Sequence, residues 1–245
     1  CWDGKWYIRA FYDNGEPMGS KNSDECNIDL LPQSFAVLCG MPDRQRVEMG
    51  LESVLEHLVD RENAIIKLFA PPFAHTRQNP GYVRAYPPGV RENGGQYTHS
   101  AVWFVMALLE QGRVDKGYEL LRMLNPAWRS SHKELAHRYK LEPYYMAADI
   151  YNGNIPGRGG WSIYTGAAAW YYRAVTESLC GVRRQGARLL LSPRLPAGWP
   201  GYNLELKLAG TTVAVRVQRT DASEKTVLPV EVPLDGGSHT VKIEC

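Results

Sequence analysis

The chain has 245 residues, 44% hydrophobic and 22% charged, an ordinary balance for a globular protein able to bury a sizeable core. Its 28 basic and 26 acidic residues leave a net charge of +2, so no basic field advertises nucleic acid as a partner. The five cysteines, Cys1, Cys26, Cys39, Cys180 and Cys245, are odd in number and never form C-x-x-C. That argues against a disulfide framework or a zinc site and fits a reducing, cytoplasmic compartment.

No apolar run approaches the length of a membrane span, and no signal-peptide pattern opens the chain. The chain starts at Cys1 without an initiator Met, in mid-pattern, and reads as a piece of something longer. Seven Trp and 14 Tyr hint at sugar stacking, although core packing accounts for most aromatics in most proteins.

In chain order, Trp6–Tyr12 suits a short strand and Asp13-Asn14-Gly15 the turn after it. Ile28–Cys39 reads as a helix with Leu31, Phe35 and Leu38 on its apolar face, stopped by Gly40. Gln33 and Ser34 within it either point into a pocket or bond locally. Asp43 caps the clearest helix, in which Val47, Leu51, Val54, Leu55 and Leu58 recur at the helical period to Asp60. Its charged face is read as solvated.

Leu68–Pro88 is a long, Pro-rich connection, and such loops are more often functional than idle. His75 and Arg77 lie in it without identifiable partners. Tyr86–His99 follows, with a Pro pair, a Gly pair, and Arg91, Glu92, Asn93, Gln96, Thr98 and His99 crowded together. Such a stretch, running straight into an apolar helix, is either a rigid polar pocket wall or an ordinary surface loop.

Thr98–Gln111 and Asp115–Leu124 read as helices, ended by Gly112 and by Asn125-Pro126. Helix, short turn and helix again suggests an α-hairpin array. Ser130–Lys140 carries no assignable pattern. Asn152–Gly160 is a Gly-rich loop containing Arg158, and Thr165-Gly166 opens the helix Ala167–Leu179. Thr165 there is either an N-cap or part of an anion site. From Gln185 the period becomes alternating, as in Tyr202, Leu204, Leu206 and Leu208, or Val213, Val215 and Val217. The expected organisation is therefore mainly α over residues 1–184 and a small antiparallel β-sandwich-like domain over residues 185–245.

There is no G-x-S-x-G, H-E-x-x-H, P-loop or dinucleotide fingerprint. His99 has no ligand at metal spacing, so no metal site is expected. The acidic candidates for general acid work are Asp29, Glu92, Glu142 and Asp149, and spacing alone pairs no two of them.

Five blocks occur in one order: Trp2–Ala10, Ile28–Leu38, Pro87–Gly95, Glu142-Pro143-Tyr144 and Tyr164–Trp170. Together they resemble the inverting β-glucoside phosphorylases of glycoside hydrolase family 94. Ala147-Ala148-Asp149 and Pro156–Trp161 resemble most the branch of β-1,2-oligoglucan phosphorylases and cyclic β-1,2-glucan synthase C-terminal modules. The resemblance implies the second half of an (α/α)6 barrel followed by the β domain. It also implies phosphorolysis of a β-glucosidic bond with inversion, giving α-glucose 1-phosphate.

By the family pattern, His99, Thr165 and Gly166 bind phosphate. Arg91, where the family often has Lys, and Glu92 line the sugar wall, with Gln96 and Arg158 as further substrate-binding candidates. No cofactor is implied, since inorganic phosphate is a co-substrate. The family's general acid is an Asp in a block expected upstream of Cys1, so no catalytic acid is assigned here and the chain alone is expected to be inactive. The expected partners are a β-glucan or β-linked disaccharide and phosphate, in a parent that is homodimeric or part of a membrane-anchored synthase. The alternatives are a non-catalytic chain-length module of such a synthase and an inverting (α/α)6 hydrolase using water.

Overall fold

The computed structural model describes residues 1–163, 165–221 and 225–245, with Thr165 given by its backbone alone. Near the N-terminus, after a single Trp2–Tyr7 bridge, β1 (Ala10–Phe11) and β2 (Pro17–Met18) pair around the expected turn. The longer strand expected from Trp6 does not form. The Trp6 indole turns inward, and its Nε1–H donates to the Gly19 and Asn27 carbonyls at 3.1 and 3.0 Å, so the backbone bends.

β3 (Ile28–Asp29) leads into α1 (Leu30–Leu38), where Asp29 caps by accepting the Leu31 N–H at 2.7 Å. The buried face of α1 is Leu30, Gln33, Ser34 and Val37, a correction to the expected Leu31–Phe35–Leu38 stripe. The Gln33 amide makes this possible by bonding both the N–H and the carbonyl of Tyr7, at 2.9 and 2.8 Å. Ser34 bonds the Leu30 carbonyl, so neither polar residue faces a pocket. Phe35 stays 40% exposed, edge-on to Trp103.

α2 (Arg44–His57) forms as expected, capped by Asp43 and burying Val47, Leu51 and Val54. It ends before Asp60, where β4 (Val59–Asp60) turns back to pair with β5 (Ile65–Ile66). β6 (Phe69–Ala70) pairs with β3, and β7 (Gln96–Tyr97) with β8 (Asp149–Ile150), so two-residue ribbons tie the inter-helix loops together.

Between β7 and β8 run α3 (Thr98–Glu110), α4 (Val114–Leu124), α5 (Pro126–Ser131) and α6 (Lys133–Tyr139). α3 is apolar on nearly every side, as a central helix must be, and it packs against α1, α4 and α7 (Thr165–Arg173). Gly117 brings α4 close, because a Cβ there would lie 2.8 Å from the Leu109 side chain. α7 runs on into a π-helical turn, Ala174–Leu179. α5 and α6 occupy the stretch that carried no sequence pattern. Asn125 ends α4 and at once caps α5, accepting from Ala127 N–H at 2.8 Å with Pro126 in the first turn.

The C-terminal strands are β9 (Val182–Gln185), β10 (Arg188–Leu191), β11 (Gly201–Leu208), β12 (Thr211–Gln218), β13 (Val230–Pro233) and β14 (Ser238–Glu244). They form two three-stranded sheets, ordered β13-β10-β9 and β11-β12-β14. Leu189, Leu191, Val213, Val215, Val217, Val232 and Ile243 form the core they share. Every pairing is antiparallel except β12–β14, which is parallel. The chain leaves β12 for the other sheet and returns from β13, so β14 enters beside β12 in the same direction.

This unit leans on the helices. The Tyr202 hydroxyl donates to the Cys180 carbonyl at 2.9 Å, Arg194 bonds Glu110 at 2.8 Å, and the Trp199 ring meets Tyr118 at 5.3 Å. All five cysteines are free thiols. Among the described residues, no helix is long and apolar enough to cross a membrane.

Candidate functional site

The loop Tyr86–His99 is folded around Asn93. This buried amide accepts the Phe73 N–H at 2.7 Å and donates to the Phe73 and Tyr86 carbonyls at 2.9 and 2.8 Å. The Gly89 carbonyl accepts the Asn152 N–H at 2.8 Å, and a Cβ on Gly89 would lie 2.1 Å from the Asn152 carbonyl oxygen. Glycine is thus required where the two Gly-rich loops touch. Arg91 adopts φ +51°, which turns its side chain and that of Glu92 to a common wall.

In that wall the Arg91 guanidinium lies over the Trp161 ring at 4.6 Å and near the Tyr86 ring at 5.5 Å. Its Nε is 3.5 Å from Glu92 Oε2. Asp149, 0% exposed, is near enough for its charge to act on Arg91. Asp149 Oδ1 accepts the Trp161 N–H at 2.9 Å, and β8 sets Asp149 opposite Tyr97. Arg91 Nε and Nη1, Glu92 Oε2 and Asp149 Oδ2 are all buried without a hydrogen-bond partner. Burial opposes the Arg91 charge, but Glu92 and Asp149 hold its pKa above the ordinary value. Burial pushes the Asp149 carboxyl up, against the pull of the Trp161 N–H and Arg91.

His99 sits in the first turn of α3, stacked on Tyr97 with ring centroids 5.8 Å apart. Its Nδ1 is buried without a partner. A Cβ on Gly166 would lie 2.5 Å from His99 Nε2, so only glycine lets the start of α7 approach the imidazole this closely. The N-terminal end of a helix favours an anion beside that ring. Burial lowers the His99 pKa below its ordinary value and so favours the neutral imidazole. The Thr165 side chain and Tyr164 lie outside the described residues.

Next to Glu92 and Tyr97 a cavity of about 260 Å³ is also lined by Arg9, Asp29, Phe73 and Trp103. Asp29, capping α1 at its floor, is pushed up to about 6 by burial, against the attraction of Arg9 at 3.6 Å. A larger, more open groove of about 770 Å³ lies beyond Trp103, between Phe35 and Trp170. Arg173 pairs there with Glu177 and Arg183 with Glu110, and among the described residues none of its lining atoms is buried without a partner.

Of the sequence candidates, Arg91, Glu92, His99 and Gly166 face these features. Gln96 does not. It is buried, and its Oε1 accepts the Ile66 N–H at 2.9 Å. Arg158 is exposed on its loop. Glu142 is exposed as well, whereas Asp149 and Glu92 flank the one guanidinium. His75 and Arg77 are exposed, and the backbone around them closes on the Glu25 carboxylate. Sequence reasoning passed over Arg9, Tyr97 and Trp161. The adjacency of Trp161 to two glycines was the signal that could have found it.

Residues 1–181 match the family model described as glycosyl hydrolase 94 superfamily, catalytic domain, and residues 182–241 match glycosyl hydrolase family 65, C-terminal domain. The chain is 45% identical over 239 residues to the cyclic beta-(1,2)-glucan synthase NdvB of Rhizobium meliloti (strain 1021), covering 97% of itself and 8% of that protein. It is 31% identical over 233 residues to a cellobionic acid phosphorylase of Neurospora crassa, covering 92% of itself and 29% of that relative. Over 236 residues it is 22% identical to a 1,2-beta-oligoglucan phosphorylase of Listeria innocua, covering 88% of itself and 21% of that relative. The chain spans less than a third of the length of each of these three relatives.

Proposed function

The chain belongs to the glycosyl hydrolase 94 superfamily, and on that premise we propose that it supplies the phosphate and sugar walls of an inverting glycoside phosphorylase. The observation that carries this reading is the convergence of buried, unpartnered polar atoms on Arg91, Glu92 and Asp149, with His99 held against the start of α7. Buried donors and acceptors left unmet by the protein call for a ligand or ordered water to complete them.

In the reaction, a phosphate oxygen attacks the anomeric carbon as the glycosidic bond breaks, and the leaving oxygen takes a proton from a carboxylic acid. His99 and the α7 N–H groups donate to phosphate oxygens, with the Thr165 hydroxyl as a third donor. Arg91 donates to sugar hydroxyls, and Glu92 accepts from them. Arg158 is assigned to the outer sugar. The general acid is assigned to none of these residues, and in this reading it comes from another part of the same barrel. The helices then form the second half of an (α/α)6 barrel over residues 1–184, braced by the β domain over residues 185–245.

The cyclic β-(1,2)-glucan synthase among the relatives favours a β-1,2-glucan as the sugar. The free thiols are in keeping with a cytoplasmic setting, with the parent a dimer or a synthase held at the inner membrane. The same relative supports a second reading, in which the chain shapes glucan length within a synthase without phosphorolysis.

His99→Ala in the longest natural form of the protein tests the proposal. Losing one hydrogen bond to a charged ligand raises the phosphate KM about tenfold to a hundredfold. A variant that cleaves glucan as before, with or without phosphate, sinks the phosphorylase reading and leaves water as the nucleophile. Glucan binding with no phosphate binding favours the chain-length module.

A further inference from the structure

Asp149 holds the segment after the Gly-rich loop by two routes. Its backbone carbonyl accepts the Gly160 N–H at 2.9 Å, and its carboxylate accepts the Trp161 N–H at 2.9 Å. The Ala148 N–H completes the pairing by donating to the Trp161 carbonyl. Residue 160 must be glycine, because a Cβ there would lie 2.6 Å from both carboxylate oxygens.

Trp161, fixed this way, carries the Arg91 guanidinium over its ring at 4.6 Å. Arg91 is thus held by the Trp161 ring and by the neighbouring Glu92 and Asp149 charges, while its Nε and Nη1 make no hydrogen bond within the protein. Trp161 remains 52% exposed, so aromatic surface is also presented, and such surface stacks on the apolar face of a pyranose.

From this geometry we propose that Asp149 is the positioning residue of the sugar wall. Through the Trp161 backbone and the Arg91 charge, it fixes an aromatic and guanidinium surface for one pyranose ring, separately from the phosphate side at His99. The proposal rests on the sugar-binding reading of this wall and gives it a mechanism. It assigns Asp149 no proton transfer, since the groups its carboxylate meets, the Trp161 N–H and Arg91, belong to the wall itself.

Three variants of the longest natural form separate the contributions. Asp149→Ala removes both the acceptor and the charge. Asp149→Asn keeps an oxygen to accept the Trp161 N–H and removes the charge. Gly160→Ala keeps the carboxylate and forces the 160–161 backbone away from it. For Asp149→Ala and Gly160→Ala, loss of one or two ligand contacts raises the β-1,2-glucan KM about tenfold or more, with the phosphate KM within about twofold of the parent. Asp149→Asn is expected to fall between the parent and Asp149→Ala.

Melting temperatures identify any variant that fails to fold, and Asp149→Asn then carries the comparison. Glucan KM unchanged in Asp149→Asn and Gly160→Ala overturns the proposal. So does a rise in glucan and phosphate KM together, which marks Asp149 as a support of the whole fold. If the parent shows no phosphate dependence, phosphorolysis fails as a reading. The wall is then tested by calorimetric binding of β-1,2-glucooligosaccharide to the same variants, where equal affinity overturns the inference.

Discussion

At the scale of single residues, the site is built from groups whose burial works against their charge. Asp29 shows this most plainly. Its carboxyl titrates at about 6 in the folded chain, above the ordinary value of 3.8, because burial outweighs the Arg9 attraction. The folded state therefore keeps a proton that the unfolded chain has released, and stability falls as pH rises from about 4 to about 6. Over that window the loss is on the order of 3 kcal/mol. Asp29→Asn retains an oxygen to cap α1 and does not titrate. Urea unfolding at pH 4, 6 and 8 is expected to show the variant gaining on the parent up to pH 6 and holding that gain to pH 8. A difference that stays constant from pH 4 upward contradicts it. His99 and Gly166 stand at helix starts as the sequence suggested, but their phosphate role came from the family resemblance and not from spacing. Asp29 at a helix start reads as a cap and is one, and nothing in its neighbours announces the cavity it also lines. Gln96 is the converse case. A polar residue in a polar loop reads as a ligand, but this one is spent on the Ile66 backbone.

At the scale of elements, α2 and α3 follow their periodicity, because apolar positions spaced at 3.6 residues leave few other burial solutions. α1 departs from it. A fully bonded Gln33 counts as core, and the face turns by roughly one residue. α5 and α6 were illegible since Asn125 serves two helices at once and reads as the end of one. The buried Arg129 adds to this. It donates to the Ala64 carbonyl from inside the fold, so a charge that suggests surface sits in the interior. The long connection before the site also has its own anchor. The backbone N–H groups of Ala74, His75 and Thr76 donate to Glu25 at 2.8 to 3.2 Å. Although desolvation opposes it, these bonds hold the Glu25 carboxyl below its ordinary value. The clamp is therefore intact above the ordinary carboxylate range and is lost as pH falls through the folded value. Glu25→Ala is expected to speed hydrogen exchange at Ala74–Thr76 about tenfold or more while the α3 amides keep their protection. Unchanged exchange in the loop would show that the anchor lies elsewhere.

At the scale of the whole molecule, the helices place two walls side by side and the β unit secures the back of α3 and the end of α7. Glu110, the last residue of α3, takes both Arg183 and Arg194 from the strand side, and Tyr202 closes on the Cys180 carbonyl just past the π-helical turn. The alternation of Val213, Val215 and Val217 made this unit readable as paired strands, but the parallel β14 depends on a crossover that no local pattern encodes. In the proposed function the wall around Arg91 holds a glycosyl unit while the His99 side delivers phosphate to it. Incubating the longest natural form of the protein with β-1,2-glucooligosaccharide and inorganic phosphate, and following the anomeric product by phosphorus NMR, tests this directly. One α-glucose 1-phosphate is expected for each bond cleaved, and no cleavage when phosphate is left out. Shortened glucan with free glucose and no consumption of phosphate would contradict it.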